Sequence, residues 1–296
     1  MILAFIDALR PRQWTKNLLV FAGVLFSQQF DNLGLVLRAA AGFVAFSLLA
    51  GSLYLLNDFR DREADRLHPK KRARPFAAGR LTPGFAIAAE VPVLAVIAAL
   101  AAYLGAGFAF TLVAYTLMNL AYTLTLKNQV LIDVFIIATG FVMRAIAGVE
   151  LLRPVAPEIT ISPWLLVCTF FGALFLALAK RRREIANAGE LARDQRAVLV
   201  HYTPEFLDGM LLISAATSLM GYALYTIWPA TVAKFHTEAL LYTVPFVAYG
   251  IFRYLYLVKL SESTEDPSLV LLSDRALGGC VMLYLLAVVL ILYRPW

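Results

Sequence analysis

The chain has 296 residues, of which 61% are hydrophobic and 16% charged, with a formal net charge of +6. A water-soluble globular chain averages roughly 45–50% apolar and about 25% charged residues, so this composition excludes an ordinary soluble fold. The only two cysteines, Cys168 and Cys280, lie inside apolar runs, and the three histidines are scattered at 68, 201 and 236, which excludes a disulfide framework, a thiolate site and a His-based metal site.

In chain order, MILAFIDALRPRQW is a short amphipathic stretch without a small-residue cleavage site, expected to be retained with its basic residues at the membrane surface. The apolar runs that follow are continuous, not alternating, and about 20 residues suffice to cross a bilayer as a helix. Between lipid tails only helices or closed barrels satisfy the backbone, so helices are expected. Nine are predicted, over 17–30, 34–57, 84–104, 107–126, 130–152, 161–180, 207–228, 237–258 and 276–293. The first is short and interrupted by polar residues. Pro83, Pro163 and Pro204 lie close before helix starts, where a missing N–H costs little. All nine are expected to form a single domain, 1–296.

Lys and Arg set the orientation. The N-terminal tail and the 2–3, 4–5, 6–7 and 8–9 connections hold twenty of them, including Arg193 and Arg196. The other side has four: Arg38, Arg153, Lys234 and Arg294. Arg144 and Arg253 fall within helices. The bias puts the N-terminus in the cytoplasm and gathers the polar chemistry on the cytoplasmic face of the cell inner (plasma) membrane. The net charge suits anionic substrates or lipid head groups and gives no reason to invoke nucleic acid.

The second predicted helix ends in LYLLNDFRDREADRLHPKKRARP. With Asn57 at zero on a wheel of about 100° per residue, Asp61 falls at about 40°, Asp65 at about 80° and Asp58 at about 100°. Four oxygen-bearing side chains share one arc, while Glu63 points away. Hard oxygen donors at this density suit Mg²⁺, which takes one or two carboxylates and completes its shell with water and phosphates. The alternative is a solvated helix end whose acids pair with Arg60, Arg62 and Arg66.

NDFRDREAD reproduces without mismatch the first Asp-rich motif of the UbiA superfamily, Asn-Asp-x-x-Asp-x-x-x-Asp, and KKRARPFAAGRLT resembles that family's Arg-Pro-x-x-x-Gly continuation. RPRQWTKN and the nine-span layout also fit, so the resemblance covers essentially the whole chain. It implies an all-α polytopic membrane protein whose helices surround a central cavity open to the cytoplasm. There Mg²⁺, or Mn²⁺ in its place, assists departure of a diphosphate. The resemblance makes Asn57, Asp58, Asp61 and Asp65 the metal ligands, with the three aspartates catalytic.

Most of the superfamily carries a second Asp-rich motif after the sixth helix. Here that helix ends LALAKRRREIANAGE, so Lys180 stands where Asn57 would, Arg181 for Asp58, Glu184 for Asp61 and Ala188 for Asp65. Read alone, KRRR is equally a positive-inside flank. Paired with the acidic cluster, it resembles the family's decaprenyl-phosphate phosphoribosyltransferase branch, as does YTLTLKNQVLIDVFIIATGFVMRAIAG. DPSLVLLSDRA resembles the same branch without revealing a role for Asp274 or Arg275.

That branch implies 5-phosphoribosyl diphosphate (PRPP) as donor and a polyprenyl phosphate as acceptor, in cell-envelope glycan precursor synthesis. Lys16, Asn17, Arg74, Lys127, Lys180 and Arg181 are the expected phosphate contacts. Tyr122, Asp133, Arg144 and Glu184 complete the expected substrate-binding set. Asp133 and Arg144, three helical turns and about 16 Å apart in depth, would share a face of a polar cavity, unless Arg144 pairs structurally with an acid. Asn119 and Tyr122 read equally as interhelical glue. Two other readings stay open: an aromatic-acceptor prenyltransferase of the quinone or haem type, and a lipid-phosphate transporter. The sequence sets no bar to a homo-oligomer.

Overall fold

The computed structural model describes residues 1–27, 29, 31–67, 71–188, 197–260 and 274–293. Arg193, Arg196, Arg294 and residues 266–273 therefore lie outside the described residues. Twelve α-helices are described: α1 (Ile2–Ala8), α2 (Ala22–Phe26), α3 (Leu33–Arg60), α4 (Arg62–Leu67), α5 (Pro83–Leu104), α6 (Ala106–Leu124), α7 (Ile132–Glu150), α8 (Pro163–Ala188), α9 (Pro204–Ile227), α10 (Pro229–Phe235), α11 (Val244–Leu260) and α12 (Arg275–Tyr293). Among the described residues, eight helical segments are long and apolar enough to cross a membrane: α3, α5, α6, α7, α8, α9, Ala239–Lys259 and α12. The protein is an all-helical, multi-pass membrane protein.

The segment expected as a first span, 17–30, takes another form. Pro11–Phe21 is a 3₁₀ helix, followed by the five-residue α2. Pro11 and the polar run Arg12, Gln13, Thr15, Lys16 and Asn17 leave too few consecutive apolar residues for a regular span. Tight packing fixes the segment instead. A Cβ at Gly23 would strike the Gly148 carbonyl, and one at Gly148 would strike the Val20 carbonyl, so neither position accommodates a side chain.

The chain divides into two compact units, 1–126 with 143–160, and 127–142 with 161–296. In the first, α3 packs against α5, α6 and the 3₁₀ segment. Asn32 caps α3 by accepting from the Leu35 N–H. Arg38 donates to the Leu104 and Leu151 carbonyls, satisfying the ends of α5 and α7. A small core of Phe5, Leu9, Leu55, Phe76 and Leu81 fixes α1 and the 76–81 loop beside the end of α3.

In the second unit α8 and α9 form a close hairpin, and α9, α11 and α12 pack in turn. Its core runs through Val134, Leu174, Phe175, Leu178, Leu207, Leu211, Tyr254 and Leu277. Trp164 and Trp228 meet edge to face at 5.6 Å. They sit at the ends expected to be extracytoplasmic, where amphipathic indoles favour the interface.

Candidate functional site

Helix α3 ends formally at Arg60, yet the i→i−4 ladder runs on, Asp61 N–H to Asn57 O at 2.9 Å and Asp65 N–H to Asp61 O at 2.8 Å. The ladder thus carries from Asn57 to Asp65 across the turn at Asp61. Asn57 Nδ2 donates to Asp61 Oδ2 at 3.1 Å. Asp58 is 1% exposed and accepts from Arg10 Nη2 at 2.6 Å and Arg74 Nη1 at 3.0 Å. The same Arg74 nitrogen reaches Asp65 Oδ2 at 2.8 Å. Glu63 is exposed and pairs with Arg62 and Arg66. Asp58 and Asp65 are thus held by Arg10 and Arg74, not by Arg60, Arg62 and Arg66. Arg60 instead donates to the Leu124 carbonyl.

Arg10 opens the RPRQWTKN stretch and stands in the left-handed region at φ 53° and ψ 61° just before Pro11. A residue preceding proline normally sits in extended conformations, so this backbone is strained. Two contacts hold Arg10 in this conformation: it lies 4.8 Å over the Tyr54 ring and bonds Asp58.

The three carboxylates and the amide oxygen between Asn57 and Asp65 are hard oxygen donors, the chemistry a divalent cation such as Mg²⁺ takes. Among the described residues no three His, Cys, Asp or Glu side chains are gathered as a ready-made metal cage. Mg²⁺ needs only one or two carboxylates when substrate phosphates supply other ligands. Lys16 is half-buried on the 3₁₀ segment.

Other expected site residues are bonded within the protein. Asn17 is buried, accepts from Arg144 Nε at 2.7 Å and donates to Ser47 Oγ at 3.0 Å. Arg144 Nη2 donates to Tyr115 Oη at 2.8 Å, and its guanidinium lies over the Phe46 and Tyr115 rings. Asn17 and Arg144 were expected to meet substrate. In the structure their polar atoms bond each other, Ser47 and Tyr115, since an intramembrane cation needs hydrogen-bond partners wherever it is buried. Asn119 donates to the Tyr115 carbonyl of its own helix. Tyr122 is half-buried on α6.

In the second unit Asp133, fully buried, accepts from Arg181 Nε at 2.7 Å and from Tyr202 Oη at 2.7 Å. Arg181 Nη1 also donates to Glu184 at 2.6 Å. Tyr202 Oη accepts the Leu131 N–H at 2.7 Å, which steadies Leu131 at φ 66°. Burial, and then the adjacent Asp133, push the Tyr202 phenol well above its ordinary pKa, so it remains a donor. Arg181, expected as a phosphate contact, is 1% exposed. Asp133 draws it inward because a buried carboxylate without a cation would be far more costly. Asp133 and Arg144 share α7, but they serve these separate networks. Lys180 is exposed and Lys127 half-buried. Asp274 caps α12 through the Leu277 N–H, and Arg253 holds its carboxyl below the usual range.

Sequence reasoning missed Arg10, Ser47, Tyr115 and Tyr202. Their partners lie 29 to 71 residues away, beyond any helical period.

The sequence pattern of the UbiA prenyltransferase family matches residues 17–276. The chain is 34% identical over 287 residues to a decaprenyl-phosphate phosphoribosyltransferase of Mycolicibacterium smegmatis, covering 94% of this chain and 88% of that one. It is 35% identical over 296 residues to a protein of the same name from Corynebacterium glutamicum, covering 97% and 86%. Among solved structures, a UbiA homolog from Archaeoglobus fulgidus bound to DMAPP and Mg²⁺ superposes with a TM-score of 0.70 at 18% identity, over 98% of this chain and 99% of that one.

Proposed function

Since the chain belongs to the UbiA prenyltransferase family, we propose that it is a metal-dependent phosphoribosyltransferase that moves 5-phosphoribose from PRPP to a polyprenyl phosphate of the decaprenyl type. The product would be a precursor of cell-envelope glycan. One observation carries the reading: 34–35% identity, across nearly the whole chain, to relatives bearing that name. The acid–guanidinium cluster supplies chemistry to match. The site faces the cytoplasm of the plasma membrane, as the distribution of Lys and Arg supports.

Asn57, Asp58, Asp61 and Asp65 would hold Mg²⁺, with Mn²⁺ as a substitute. When bound, the ion stabilises charge on a leaving diphosphate. Arg74 bridges Asp58 and Asp65, which keeps two carboxylates aligned before substrate arrives. Lys16, Arg74, Lys127 and Lys180 are the proposed phosphate contacts. The bond from ribose C1 to the diphosphate breaks with its electron pair leaving on the diphosphate, and a phosphate oxygen of the acceptor forms the new bond. C1 carries oxocarbenium character between the two events, as in glycosyl transfer. The acceptor oxygen is already anionic, so no side chain need take a proton. In-line attack inverts the anomeric centre.

The purified protein should be offered two substrate pairs with Mg²⁺: PRPP with polyprenyl phosphate, and a prenyl diphosphate with an aromatic acid. Turnover of the first pair alone is expected. Turnover of the second alone would transfer the assignment to an aromatic prenyltransferase.

A further inference from the structure

Beside the acidic face lies a cavity of about 370 Å³, within the first unit and lined chiefly by Asp7, Arg10, Asp58, Arg74 and Arg80, with Ala73 and Pro75 the remaining wall. Three guanidiniums meet two carboxylates there. Arg10 and Arg74 each engage Asp58 through one nitrogen, and Arg80 uses its Nη2 for both Asp7, at 3.0 Å, and the Ala73 carbonyl, at 2.8 Å. A guanidinium has five N–H donors in a planar fork, so one engaged nitrogen leaves most of that capacity for a ligand. The loop that presents Arg80 is fixed by its own backbone: Arg80 N–H and Leu81 N–H both bond the Pro75 carbonyl, and Gly79 turns the chain at φ 70°.

We propose that this cavity is a phosphomonoester subsite for the 5-phosphate of the ribosyl donor, with Arg80 its specificity-determining residue and Asp7 the partner that holds Arg80 when no donor is bound. The assignment rests on the phosphoribosyl reading above. Asp58 belongs both to the cavity wall and to the acidic face. A donor whose diphosphate lies at that face therefore projects its other end, one sugar ring away, toward the three arginines. Planar forks suit a dianionic phosphate, and charge-assisted bonds of this kind are the strong ones. The acceptor's lipid phosphate has the same chemistry. It is the poorer occupant, because a prenyl chain requires an apolar wall, and only Ala73 and Pro75 provide one.

The test compares two donors on the full-length protein, PRPP and ribosyl 1-diphosphate, which lacks the 5-phosphate. Arg80→Ala should raise KM for PRPP about tenfold to a hundredfold, the loss expected of one charge-assisted contact. It should leave KM for ribosyl 1-diphosphate and for polyprenyl phosphate unchanged. Arg80→Lys should recover part of the loss, and Asp7→Asn should keep or lower KM for PRPP. In a second arm, ribose 5-phosphate titrated in EDTA should bind the wild type and not Arg80→Ala. Equal losses on both donors, or an unchanged KM for PRPP, would overturn the subsite. A rise confined to the acceptor's KM would give the cavity to the lipid phosphate and overturn it equally. Wild-type protein that uses neither donor, yet binds ribose 5-phosphate through Arg80, would remove the phosphoribosyl reading and leave a phosphomonoester site standing.

Discussion

Asp58 and Asp133 are both buried carboxylates, yet their arginines stand in different relations to solvent. The side chains of Arg10 and Arg74 are each 26% exposed, so an incoming cation or anion can reach the Asp58 pairs. Arg181 has only 2% of its side chain exposed, and Asp133 has none. Removing one partner of such a sealed pair typically costs about 3–5 kcal/mol, because the other charge is left buried alone. Arg181→Ala should therefore lower the thermal midpoint and folded yield in detergent, whereas Lys180→Ala, at an exposed position, should fold normally and weaken donor use. Arg181→Ala protein that melts with the wild type but has lost affinity for donor would reverse these roles. On the acidic face, Asp61→Asn should reduce kcat/KM by about two decades or more, the scale of a lost transition-state interaction. Glu63→Gln, exposed and paired with Arg62 and Arg66, should leave it within about twofold. Similar losses from the two changes would mean that the shared face is not the reacting one.

At the scale of elements, the sequence revealed what depends on local period. The arc from Asn57 to Asp65 follows from 3.6 residues per turn, and the backbone ladder continues that surface past the formal end of α3. The pairing of Asp58 with Arg10 crosses 48 residues and depends on a left-handed backbone before proline, which no periodicity encodes. Residues 17–30 also misled. Leu18, Leu19, Val20 and Phe21 look like the start of a span, but the segment is shaped by close approach to α7 at Gly23 and Gly148, a constraint held in the partner helix. Gly148→Ala should force the Val20 carbonyl away and disturb Asn17, three residues earlier, and with it Arg144. Overpacking of this kind typically costs about 1–3 kcal/mol. A lowered melting temperature with reduced activity is expected. A variant as stable and active as the wild type would show that the approach is looser than described.

For the whole molecule, composition alone gave a multi-pass helical protein, and the oxygen-rich motif gave the family. The chemistry of the donor pocket was legible only in part: the sequence supplied the cations, but not which of them are sealed in ion pairs and which remain at the surface. Because the acidic face offers hard oxygen donors, EDTA should abolish turnover and added Mg²⁺ should restore it. Activity that persists in EDTA would remove the metal from the reaction.

The central claim is that ribose passes to the lipid while diphosphate leaves, and a doubly labelled donor tests it most directly. PRPP carrying ¹⁴C in the ribose and ³²P in the β-phosphate should be incubated with the purified protein, Mg²⁺ and polyprenyl phosphate. The ¹⁴C should move into the organic phase in step with release of water-soluble ³²P-diphosphate, one for one, and Asp61→Asn should suppress both. If ³²P entered the lipid, or if ¹⁴C stayed in water while the protein remained folded, phosphoribosyl transfer would not be its reaction.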